Sequence, residues 1–212
     1  KGIAFVVFEN IGADDRLGCV DVVTMDHEQA AEMAVDCLVG LGHRAIAYVT
    51  PTPLNPHRLS RLQGFRRAMR KHGLGEGDVI TDEAMPSCTK AYEEADLSRF
   101  GHLAAYELAR LSPRPSAVIA MNDIVAFGML SGFYELGIQV PADVSLIGID
   151  GIGLSRFVSP SLTTIRQPYA QIAESAIDCL HTRLADPERG ASTIILEPSL
   201  DIRVSTAPPP VR

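Results

Sequence analysis

The sequence predicts an α/β fold of mostly parallel sheets covered by helices on both faces. Three observations lead there. The apolar period switches repeatedly between strand-like runs and helical spacing along the chain. VSLIGID (144–150) is continuously apolar, as expected for a strand covered on both sides. The helical segments are closed by glycines or preceded by capping residues, so strand and helix alternate as they do in βαβ units.

Taken in order, AFVVF (4–8) and VDVVTM (20–25) read as strands. Asp26 with Gln29 three residues on resembles a capping box, and Ala30, Met33, Ala34, Cys37, Leu38 and Leu41 follow at helical spacing up to Gly42. AIAYVT (45–50) is the next strand. The proline-broken PTPLNPHR then leads to a helix over about 59–72, with Leu62, Phe65 and Met69 inward and Gly73 beyond it. A short strand is placed near 78–81, a helix within 92–111, the strand SAVIAM at 116–121 and a helix from about 123 to Leu136, stopped by Gly137. After VSLIGID come the short LTTI (162–165) and a helix over 169–185 with Ile172, Ala176, Leu180 and Leu184 in one row. Strands near 193–197 and 201–205 end the series.

At 212 residues and 46% hydrophobic content, the chain suits one large domain or two small ones around a well-buried core. Its net charge is −7 and its longest basic run, RRAMRK (66–71), reads as the solvated face of a helix, so this chain by itself is a poor candidate for gripping nucleic acid. The four cysteines, at 19, 37, 88 and 179, form no C-x-x-C pair and suggest neither a zinc ribbon nor a disulfide framework, so a reducing, cytoplasmic setting is expected. There is no 18-residue apolar run and no charged start leading into an apolar signal segment, so no membrane partner is expected. The chain opens on Lys1 and enters a strand-like run directly, which reads as a fragment of a longer protein.

In sheets of this kind ligands bind in the crevice outside the carboxyl ends of the strands. Those ends present Glu9 and Asn10, the loop 51–58, Asn122 with Asp123, and Asp150. Each has a local explanation as well. Asn122 is a good helix N-cap, Asp123 suits a helix dipole, Asp150 can open a turn with Gly151, and Glu9 can be a solvated loop residue. What weakens the local explanations is that four strand ends deliver polar groups to one side of the molecule. Arg61, placed in the first turn of the helix beginning near 59, opposes that helix's dipole. Its fork of donors suits a sugar diol, a carboxylate or a phosphate, with an arginine packed along the surface as the alternative.

Catalytic signatures are absent. GIDGIG (148–153) lacks the G-x-G-x-x-G spacing and carries a carboxylate where a pyrophosphate would sit, and there is no G-x-x-x-x-G-K-[ST], G-x-S-x-G or H-E-x-x-H. The histidines at 27, 43, 57, 72, 102 and 181 show no metal-ligand spacing, and His43 with Arg44 is explained by the end of the preceding helix. No catalytic residue, metal or cofactor is expected.

Six segments carry a family resemblance: VDVVTMDHEQAAEMAVDCLVGLGHRAIAYV, RLQGFRRAMRKHGL, RPSAVIAMNDIVAFGML, LGIQVPADVSLIGIDGI, SPSLTTIRQP and IRVSTAPP. In this order and spacing, from about residue 20 to 209, they resemble the effector-binding domain of the lactose-repressor/galactose-repressor (LacI/GalR) family of transcription regulators. The resemblance implies a fold like type I periplasmic binding proteins, with two subdomains around a ligand cleft and the first subdomain incomplete in this chain. Residues 1–25 and 166–197 would be pieces of the N-terminal subdomain. Residues 26–160 and 198–207 would form the C-terminal one, and the DNA-binding head would lie outside this chain.

The implied function is an effector-sensing, non-enzymatic domain that takes a small polar ligand, sugar-like in kind, controls operator DNA through that head, and works as a homodimer. Arg61, ahead of LQGF, matches the effector-clamping arginine. Asn122 in MND and Asp150 in GID match positions that hydrogen-bond ligand hydroxyls. Glu9 and Asn10 follow the first strand, Gln167 lies in TIRQP beside the cleft, and His57 precedes Arg61 by four residues. Two departures stand out. Ile149 and Gly151 flank Asp150 where the family has a Gly-aromatic-Asp-Asp motif, and residues 82–100 are longer than usual, with Tyr92 or Met85 as the aromatic or apolar contact expected there. The rival from another class is a periplasmic sugar-binding protein of a transporter, which would share the fold and the cleft.

Overall fold

The computed structural model describes residues 4–8, 20–52, 55–84 and 94–210. Along the chain run β1 (Val6–Phe8), β2 (Asp21–Met25), α1 (His27–Gly40), β3 (Ile46–Val49), α2 (Pro56–Lys71), β4 (Asp78–Ile80), α3 (Glu94–Arg110), β5 (Ala117–Ala120), α4 (Asp123–Glu135), β6 (Ser145–Asp150), β7 (Thr163–Arg166), α5 (Tyr169–Ala185), β8 (Thr193–Leu196) and β9 (Ser199–Asp201). The predicted alternation is therefore present, and so is the α/β class.

The strands form two sheets. One is a three-stranded parallel sheet ordered β1-β2-β8; the other has six strands ordered β4-β3-β5-β6-β7-β9, parallel except for the β7–β9 pair. β3 and β5 are buried throughout and β6 along all but its last residue, which explains why their sequences are apolar without alternation. In the larger sheet the chain goes outward from β3 to β4 and then returns to β5 on the other side. The strand order reverses between β3 and β5, and that switch point opens a crevice at their carboxyl ends.

Helices α1 and α2 pack as one pair and α3 and α4 as another. The second pair is close enough to exclude side chains: a Cβ at Gly128 would run into the carbonyl of Ser98, and one at Gly101 into that of Val125. Most of the core belongs to this layer, with Tyr48, Phe65, Phe100, Phe133 and Met129 fully enclosed. A smaller cluster of Val23, Ala176 and Cys179 packs α5 onto the three-stranded sheet. There the buried Asp21 carboxylate accepts from Arg183 (3.0 Å), Arg189 (2.9 Å) and the Ser192 backbone (2.9 Å), tying β2 to the end of α5 and the start of β8.

Three expectations are corrected. The helix expected from 59 begins at Pro56, because Asn55 accepts from the Arg58 amide (2.9 Å) and proline occupies the first turn. Arg61 is thus in the second turn, and it is His57 and Arg58 that sit at the positive helix end. The strand expected over 201–205 is the ladder Ser199–Asp201, while Ser205 is fixed by its own bonds to Leu146 and Thr163. His43 is not a helix-end cation. It is 1% exposed, its Nδ1 meets Ser116 (2.9 Å) and its Nε2 donates to the Ala207 carbonyl (2.8 Å), latching the C-terminal segment onto β5 and β6. Burial keeps its pKa below the ordinary histidine value, and the bond to Ala207 opposes this only in part.

Candidate functional site

The site forms where β5, β6 and β7 end and α2 begins. Arg61, 6% exposed, is held at three points: Nε donates to His27 Nδ1 (3.2 Å), Nη1 to the Met121 carbonyl (2.6 Å) and Nη2 to Asp150 Oδ1 (2.9 Å). The alternative of an arginine packed along the surface is therefore excluded. The residue is part of the framework.

Asp150 ends β6, with its side chain 21% exposed. Its Oδ1 also accepts from Gln167 Nε2 (2.7 Å), and its carbonyl from the Gln167 amide (3.2 Å). Its φ is +122°, the one positive value for a non-glycine among the described residues. Such a conformation persists only where the surroundings enforce it, and it concentrates at functional sites. Gly151 follows at φ +70°, with a Cβ there 2.7 Å from Arg166, so the glycine in place of the pattern's second acid has a steric cause.

Asp123 enforces this turn. It is fully buried; Oδ2 accepts from the Ile152 amide (2.9 Å) and Oδ1 from the Thr164 hydroxyl (2.5 Å). Burial and the neighbouring Asp150 charge push its pKa up to about 7, against the pull of the bonds from Thr164, Ile152 and Gly151. Asn122, one residue earlier, caps α4 by accepting from the Val125 amide (2.9 Å). The cap uses the amide oxygen and leaves the amide nitrogen outside it.

His57, in the first turn of α2, packs its ring against His27 at 4.7 Å. Gln167 also lines a cavity of about 410 Å³ with Phe8, Val23, Met25, Tyr169 and Ile172, so the Asp150 corner continues into an apolar hollow at the ends of β1 and β2. Five of the seven expected residues, Arg61, Asn122, Asp150, Gln167 and His57, thus fall in one neighbourhood; Glu9 and Asn10 lie outside the described residues, as do Tyr92 and Met85. The sequence reading missed His27. It follows β2 just as Asn122 follows β5, and the strand-end rule applied to β2 finds it. No group of three or more metal-ligating side chains occurs among the described residues.

The chain belongs to the periplasmic binding protein-like domain family, which matches residues 35–206. Within it, the resemblance to LacI/GalR regulators read from the six segments holds. The chain is 34% identical over 186 residues to the ribose operon repressor of Escherichia coli K12, and 31% identical over 183 residues to the HTH-type transcriptional repressor PurR of Vibrio vulnificus. Each alignment covers 86% of this chain and 52% of the relative, so the chain spans about half the length of these relatives. A LacI family regulator from Enterococcus faecium with bound ribose superposes with a TM-score of 0.82 at 28% identity, over 97% of this chain and 71% of that one. A LacI regulator from a Rhodococcus species gives 0.83 at 30% identity, over 99% and 72%.

Proposed function

We propose that this chain is the effector-sensing part of a LacI-family DNA-binding transcriptional regulator, taking a small, neutral, sugar-like ligand against Arg61, Asp150 and Asn122. The observation that carries the reading is the Arg61–Asp150–Gln167 assembly at the switch point, built around a backbone held at φ +122°. The arginine's charge is already met by a carboxylate, so a neutral polyol, which both accepts and donates, suits the pair better than an anion. The relatives named above are repressors, which favours this reading over a transporter's binding protein.

Residues 26–160 and 198–207 are assigned to the C-terminal subdomain, and 1–25 with 166–197 to the N-terminal one; the two separate sheets support that division. A ligand that prefers the closed cleft changes the angle between subdomains and so the spacing of DNA heads in a homodimer. Tyr134, 85% exposed, and Phe157, 82% exposed, supply an apolar surface for the second copy. No helix among the described residues is long and apolar enough to cross a membrane, in keeping with the cytoplasmic location proposed for such a regulator.

The test is a melting-temperature screen of the full-length protein against pentoses, hexoses, disaccharides, sugar acids and nucleobases. A neutral sugar that raises the melting point and alters operator affinity is expected. A response confined to sugar acids or nucleobases would overturn the assignment of ligand class.

A further inference from the structure

Two buried polar groups beside Arg61 have no hydrogen-bond partner among the described residues: the hydroxyl of Tyr48 and Nε2 of His27. Tyr48 is fully buried in β3 and His27 is 6% exposed at the start of α1. Nearly all buried polar groups in folded proteins are paired, and two exceptions around one arginine are costly for the protein to keep.

The chemistry of each can be assigned. Arg61 Nε–H donates to His27 Nδ1, so that nitrogen is the acceptor and the ring hydrogen resides on Nε2. Burial, with Arg61 and His57 adding to it, pushes the His27 pKa down to about 3, so the ring stays neutral and Nε2–H is a donor in search of an acceptor. Tyr48 stacks on Phe65 of α2 at 5.2 Å between ring centroids. Phe65 is one helical turn beyond Arg61, and the tyrosine's ionisation is governed by burial first and then by Arg61, Asp150 and Arg58. The Tyr48 ring thus lies against α2 one turn from Arg61, whose guanidinium holds His27.

We propose that Tyr48 and His27 are specificity-determining residues, whose hydroxyl and Nε2–H together bind one oxygen of the effector, a hydroxyl, ring or carbonyl oxygen, beyond those met by Asp150 and Asn122. The proposal rests on the effector-binding reading above. A ligand without that oxygen would leave both groups buried and unpaired, the situation in which binding sites discriminate most sharply.

The experiment uses the full-length protein, its Tyr48→Phe, His27→Asn and Arg61→Ala variants, and D-ribose, D-glucose, D-galactose and their monodeoxy analogues as calorimetric probes. Tyr48→Phe is expected to melt about 2 °C or more above the wild type without ligand, because an unpaired buried hydroxyl has been removed. It is also expected to bind the preferred sugar roughly tenfold more weakly. Discrimination against one deoxy position is expected to collapse, and His27→Asn to lose discrimination at the same position. A Tyr48→Phe protein that melts at or below the wild type would show that the hydroxyl has a protein partner, and the proposal falls. Unchanged affinity and discrimination in Tyr48→Phe also overturns it. If Arg61→Ala then binds normally, or the wild type binds neither these sugars nor any other neutral sugar of the melting-temperature screen, the effector-site reading falls with it; if Arg61→Ala alone loses binding, that reading stands.

Discussion

Arg61 is tied to three protein acceptors, and Asp150 depends on it in turn. Arg61→Ala should therefore lose ligand and also lower the melting temperature, since removing one partner of a partly buried pair costs on the order of 1–3 kcal/mol. Asn122 separates the two roles more cleanly. Serine keeps an oxygen for the Val125 amide but has no amide nitrogen, so Asn122→Ser should melt within a degree or two of the wild type and bind sugar more weakly. Asn122→Ala should lose both, with about 1 kcal/mol of capping removed. Differential scanning calorimetry with and without sugar distinguishes these outcomes. His27 sets a pH dependence. Unfolded, it takes a proton near pH 6.5; folded, it stays neutral down to about pH 3. The unfolded state therefore binds more protons between those values, and the contribution of His27 to stability falls as pH drops through 6.5. Relative to His27→Asn, the wild type should lose on the order of 1–2 kcal/mol between pH 7 and pH 5 in urea titrations; parallel pH profiles would contradict this.

Among the elements, the packing of α3 on α4 is set by glycines whose missing Cβ admits a neighbouring carbonyl. Gly128→Ala should force these helices apart at a cost of about 1–3 kcal/mol, lowering the melting temperature by several degrees while leaving far-ultraviolet circular dichroism unchanged. The elements themselves were legible in the sequence wherever local signals and burial agree. α1 announced itself through Asp26 and Gln29, α5 through one apolar row, and β6 through its unbroken apolar run. Reading failed where one signal was set aside or none exists. Asn55 and Pro56 mark the true start of α2, but the proline-rich loop around them suggested a later one. β9 pairs by register with β7, which no local pattern encodes. Of the site, the strand-end groups Asn122 and Asp150 could be found by counting from each strand. The burial of Asp123 under the Asp150 turn, and the stacking of Tyr48 on Phe65 one turn past Arg61, arise only when distant segments fold together.

At the scale of the whole molecule, a six-stranded and a three-stranded sheet meet at Gln167, which leaves β7, donates to Asp150 and lines the hollow above β1 and β2. A ligand seated on Asp150 is therefore positioned to sense both sheets. A coupling of about 1–3 kcal/mol, within reach of a few charge-assisted hydrogen bonds, suffices to bias closure. The exposed Tyr134 and Phe157 carry the homodimer part of the proposal. Replacing both with serine should shift the full-length protein from dimer to monomer in analytical ultracentrifugation at micromolar concentration, and an unaltered dimer would place the interface elsewhere. The most direct test of effector binding at the switch point is calorimetric titration of the full-length wild type and Asp150→Asn with the sugar that raises the wild-type melting temperature most. The expected result is saturable binding by the wild type and a loss of roughly a hundredfold in affinity for Asp150→Asn. Equal affinity in the two proteins would contradict the site.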